Sequence, residues 1–225
     1  MSTKKKKISL VYASKGVISF KNDIPLHLMI VIYIAAFIFL AIRPVNQFEW
    51  WFENLASIIV VALLAGTYRK NRLTNLSYAS ILILLVLHTL GAHYTYSICP
   101  IGDWMKVFFG FKRNNFDRLV SFTFGLLSSL PMMEIIYRKF RLRYIQACML
   151  SSVFILALFA FYELARMYSL MVLSSQQATI FLGLQGDVWD CQNDMALGLL
   201  GSVITMGGCI LYRLSKKHKI HIVKI

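Results

Sequence analysis

The chain has 225 residues, of which 58% are hydrophobic and only 15% charged, with mean hydropathy +0.62. A soluble domain of this length carries about 25% charged residues, so the composition excludes an ordinary soluble globule and points to an integral membrane protein. The net charge of +14 does not indicate nucleic-acid binding, because the basic residues fall in short clusters between apolar runs and no nucleic-acid motif is present.

The chain opens with a basic segment, residues 1–24, that includes "KKKK" at 4–7. A stretch of mostly amphipathic sequence separates these lysines from the first apolar run, and no small-x-small site follows that run, so it reads as an uncleaved span. Six stretches approach the roughly 20 apolar residues that a membrane helix needs. They are 25–42, 51–67, 75–92, 118–137, 144–165 and 193–213, with Glu53 placed in the first turn of the second. The expected architecture is an all-α bundle of about six membrane spans over 25–213, followed by a basic tail, 214–225.

Lys and Arg alternate in density along this pattern. The N-terminus, the loop with Arg69, Lys70 and Arg72, the loop with Arg138, Lys139, Arg141 and Arg143, and the tail hold most of the 24 basic residues. Under the positive-inside rule both termini face the cytoplasm. The acids are distributed oppositely. Asp23 lies in a cytoplasmic segment and Glu134 near the inner end of span four, where an ion pair with Arg138 at i+4 is its plain reading. The others fall at outer loops or outer helix ends, so the polar chemistry is expected on the outer face.

Two outer loops are too apolar for simple solvated connections. Residues 93–116 contain "WMKVFFGF", which suits an interfacial or re-entrant piece, and 166–189 contain "MYSLMVLSS". Cys99 and Cys191 both fall on this face, where an oxidising compartment permits a disulfide between the loops. Cys148 and Cys209 read as packing residues within spans.

The outer-face polar residues define the candidate site. His88 and His93 lie near the outer end of span three, at a spacing that does not place both on one helical face. Asp117 opens span four and suits a helix start. Glu163 closes span five. Within "QGDVWDCQNDM", Asp187, Asp190 and Asp194 stand at i, i+3 and i+7, one stripe if the segment is helical. Three like charges on one stripe repel, so a metal ion, a protonated member, or Arg118, Arg166 and the histidines must compensate. In the catalytic reading His88, His93, Asp187, Asp190 and Asp194 ligate a divalent metal ion, and Asp117 or Glu163 is a general base acting on lipid head groups. In the plain reading Asp187 and Asp190 are helix caps and His88 bonds a neighbouring helix. Asp194→Ala is expected to do more damage than Glu134→Ala.

The segments "HTLGAHYTYSICPIGDW", "RNNFDRLVSFTFG", "FYELAR" and "QGDVWDCQNDMALGLLGS" resemble the YjdF-like family of bacterial inner-membrane proteins, a family of no established activity, over roughly 25–213. The ending "DMALGLLGS" is also loosely similar to the last span of VanZ-like membrane proteins. The resemblance implies a location in the bacterial inner membrane. Its usual pattern reads like "RNHYDRLxHF", so Asn115 and Ser121 stand here where the family pattern has histidines, which weakens a histidine-rich metal site or moves an ion onto carboxylates. Three functions remain open: a metal-dependent enzyme on envelope head groups, a non-enzymatic accessory protein whose polar cluster is a structural lock, and a small-solute transporter. Membrane lipids are the expected partners, with no nucleic acid.

Overall fold

The computed structural model describes residues 19–169, 187 and 189–222, with the side chains of 166, 169 and 217–222 outside that description. Every regular element among these residues is helical. A single 3₁₀ turn, Phe20–Asn22, leads into α1 (Ile24–Leu40), α2 (Gln47–Asn71), α3 (Asn75–His93), the short α4 (Pro100–Phe109), α5 (Phe116–Phe140), α6 (Tyr144–Ser169) and α7 (Asp190–Ile222). Helices α2, α3, α5, α6 and α7 are long and apolar enough to cross a membrane. The 17 residues of α1 lie at the lower end of the spanning range. Most of the 166–189 loop, with its "MYSLMVLSS" run, lies outside the described residues.

Helix limits follow local chemistry. Asn46 caps α2, its side-chain oxygen accepting from the Phe48 and Glu49 amides at 3.1 and 3.2 Å. The helix therefore starts earlier than the apolar run alone suggests, and Glu53 falls in its second turn. Thr74 caps α3 through Ser77 N. Gly110, at φ 68°, ends α4 in the left-handed conformation that glycine tolerates. Trp104, Val107, Phe108 and Phe109 on α4 are exposed, as an interfacial helix requires. The last helix runs on to Ile222, well past the apolar stretch.

Helix ends meet in two sets, so the long helices alternate in direction. At the inner end Asp23 accepts from Tyr68 Oη at 2.8 Å and from Arg72 Nε and Nη2 at 2.7 and 3.0 Å. The Arg72 guanidinium holds the Asp23 carboxyl below its ordinary range. Beside it, Glu134 is 1% exposed and accepts from Thr74 N, Thr74 Oγ1 and Ser77 Oγ, the last at 2.7 Å. It also pairs with Arg138, as the i+4 spacing predicts, and Arg138 reaches the Arg72 carbonyl. This network ties α1, α2, α3 and α5 together on the lysine- and arginine-rich face.

The core of the bundle is the contact between α5 and α7. A Cβ added at Gly125 would lie 1.8 Å from the Gly198 carbonyl oxygen, and one at Gly201 would lie 2.3 Å from that of Phe122, so only glycine allows this backbone approach. Gly125 and Ser129 on α5 face Gly198 and Ser202 on α7, each a small-xxx-small pair. Ser129 and Ser202 hydroxyls meet at 2.6 Å, Ser202 reaches Ser152 on α6 at 2.9 Å, and Thr205 bonds the Leu126 carbonyl at 2.7 Å. These serine and threonine hydroxyls are thus satisfied across helices, as the lipid environment favours.

Candidate functional site

The outer ends of α5 and α7 carry the principal polar cluster. The segment "RNNFDR" builds half of it. Asn114 is buried; its Nδ2 donates to the Cys99 carbonyl and to Asp103 Oδ1, both at 2.9 Å, and its Oδ1 accepts from Phe116 N at 3.1 Å. A Cβ at Gly102 would collide with Asn114 Oδ1, so that glycine makes room for the anchor. The anchored turn orients Arg113, whose Nε donates to Asn115 Oδ1 at 3.1 Å.

Arg113 is the centre of the cluster. Its Nη2 pairs with Asp117, one helical turn on, and with Asp190 Oδ1 at 2.6 Å, while Nη1 lies 3.9 Å from Asp187 Oδ2. Arg118 pairs with Asp187. Asp190 and Asp194, one turn apart on α7, are 3% and 6% exposed. One carboxylate oxygen from each of Asp117, Asp190 and Asp194 falls within 4.8 Å of the others.

Asp187 departs from the expected stripe. The helix begins only at Asp190, so Asp187 stands before it and turns to Arg118 instead of lying in line with Asp190 and Asp194. Its Oδ1 accepts from Trp189 N at 2.9 Å, and Asn193 Nδ2 approaches Oδ2 at 3.4 Å. The Trp189 amide, with the charges of Arg118 and Arg113, lowers the Asp187 carboxyl from its ordinary value.

The two histidines lie apart from this group. His88 Nε2 donates to the Glu53 carbonyl at 3.0 Å, and its Nδ1 is engaged with the Tyr96 hydroxyl. His93 Nδ1 donates to the Leu40 carbonyl at 2.8 Å. Both rings serve to join α3 to its neighbours, and among the described residues neither is in the carboxylate group. Glu163, half-buried on α6, is also outside it. Asn115 and Ser121 are both buried, Asn115 as the Arg113 acceptor. No disulfide joins Cys99 to Cys191; Cys99 is buried, and burial pushes its thiol up from the ordinary value.

Arg113 escapes a reading based on residue type, because an outer-loop arginine looks like any boundary anchor. The signal that was available is the i, i+4 spacing from Arg113 to Asp117. The contact with Asp190 depends on the glycine-mediated approach of α5 and α7.

Fold and site together define a helical multi-pass membrane protein whose helix ends carry a partly buried arginine–aspartate cluster. The chain belongs to the DUF2238 family of predicted membrane proteins, whose model matches residues 25–216. It is 35% identical over 175 residues to the inner membrane protein YjdF of Escherichia coli strain K12, covering 75% of this chain and 81% of that protein. No solved structure matches the chain. The protein is thus a multi-pass protein of the bacterial inner membrane.

Proposed function

We propose that this chain is a non-enzymatic accessory protein of the membrane, in which the outer-face cluster is a charge lock fastening the head of α5 to the head of α7. One observation carries this reading: a single guanidinium, Arg113, pairs with Asp117 on α5 and with Asp190 on α7. Asp117, Asp187 and Asp190 are paired with arginines of the same chain, and the planar fork of arginine suits this bridging role. The lock holds a rigid polar face against the lipid head groups, and that face supports a role in envelope maintenance or stress resistance without turnover. Membrane lipids are its expected partners.

A second reading rests on the convergence of Asp117, Asp190 and Asp194 oxygens within 4.8 Å. Aspartates outnumber arginines in the cluster, and an all-oxygen donor set suits a hard divalent ion better than zinc. An ion held there would face head groups and would support hydrolysis or transfer. Transport of a small solute ranks below both, because the span centres carry few ionisable groups.

Elemental analysis of the purified, detergent-solubilised protein separates the readings. The lock predicts no stoichiometric metal in the wild type or in Asp190→Ala/Asp194→Ala, with the double variant less stable. A stoichiometric divalent metal, lost in the double variant, would establish the second reading.

A further inference from the structure

Glu53 belongs to neither network described so far as a charge partner. It lies in the second turn of α2, about 9 Å along the axis from Gln47, and is 6% exposed. Trp50, Glu53 and Ser57 stand at i, i+3 and i+7 and share one face of the helix. Trp50 is 0% and Ser57 2% exposed, and among the described residues neither Trp50 Nε1 nor Ser57 Oγ makes a hydrogen bond. A helical serine ordinarily returns its hydroxyl to the carbonyl one turn back. For Ser57 that carbonyl belongs to Glu53, and His88 Nε2 already donates to it at 3.0 Å. The Glu53 carboxylate accepts from Tyr162 Oη on α6 at 3.0 Å, and it takes part in none of the ion pairs among the described residues. A buried carboxylate inside a membrane span is strongly disfavoured without a positive partner. Two buried polar groups left over on the same face leave room for water or an ion to satisfy them.

We propose that Glu53, Ser57 and Trp50 form a binding site for one monovalent cation, reached from the outer end of α2. The carboxylate supplies the charge, Ser57 Oγ a lone pair, and the Trp50 indole N–H a donor to water in the cation's shell. Among the described residues the titratable groups around Glu53 are Glu49 one turn earlier on the same face, His88 from α3 and Tyr162 from α6.

Thermal unfolding of the full chain in detergent tests this, with NaCl or KCl exchanged against choline chloride at constant ionic strength. The wild-type Tm is expected to rise saturably with the alkali ion, Glu53→Gln to abolish the dependence, and Ser57→Ala to move its midpoint several-fold higher. A wild-type Tm insensitive to alkali ions overturns the proposal, as does an unchanged response in Glu53→Gln. Should Glu53→Gln fail to fold, a Ser57→Ala variant with the wild-type response overturns it equally.

Discussion

Arg113 Nη2 lies 2.6 Å from Asp190 Oδ1, joining the loop before α5 to the first residue of α7. The aspartate is 3% exposed, and the arginine side chain 13%. Breaking such a pair leaves a charge stranded in a poorly hydrated place. Arg113→Gln is therefore expected to lower stability by about 3 kcal/mol. Arg118→Gln should cost less, since Arg118 and its partner Asp187 are both more exposed, at 27% and 23%. Denaturation of the two variants in the same detergent gives the comparison.

The inner face makes an opposite claim to the one composition suggests. Glu134 is buried and accepts from Thr74 and Ser77 while pairing with Arg138. Glu134→Ala removes the acceptor for the capped start of α3 and leaves those donors unsatisfied. It is expected to destabilise at least as much as Asp194→Ala, by about 3 kcal/mol or more. Side-by-side Tm values decide the ranking.

Glycine substitutions should split by position. Gly125→Ala or Gly201→Ala drives a methyl into backbone of the facing helix, and each is expected to cost about 1–3 kcal/mol. Gly66 and Gly207 have nothing within 4 Å of an added Cβ. There alanine should be neutral or stabilising by up to about 1 kcal/mol, through helix propensity alone. A loss at Gly125 and Gly201 with none at Gly66 and Gly207, in one unfolding assay, supports the close packing of α5 on α7.

Acid sensitivity follows from Asp187. Its carboxyl is lowered from the ordinary 3.8, chiefly by the Trp189 amide and then by the arginine charges. A folded-state value below the unfolded one contributes stability above the unfolded value, and that contribution is lost as pH falls through the folded one. Asp187→Asn should therefore run below the wild type by a constant amount above about pH 5 and converge with it in acid. A pH series of Tm values on both proteins checks this.

The membrane spans are legible because burial in lipid imposes a long apolar run on each; their direction rests on the lysine and arginine alternation alone. The boundaries were less so: Asn46 and Trp189 set where α2 and α7 begin, and hydropathy is blind to them. Residue type and position single out Asp117, Asp190 and Asp194, and the structure brings them together. Chemistry alone groups His88 and His93 with them, yet their nitrogens face Glu53, Tyr96 and Leu40. Tyr96 reaches back because the chain turns after His93, and no helical spacing encodes that. Arg113 and the Gly125–Gly198 approach depend on which helices become neighbours, information that one sequence carries only weakly.

A double-mutant cycle on Arg113→Gln and Asp190→Asn, followed by denaturation in detergent, tests the charge lock most directly. The lock predicts that the double variant is clearly more stable than the sum of the single losses implies, by about 1–3 kcal/mol. Losses that add within about 0.5 kcal/mol would contradict it, because the two residues would then contribute independently.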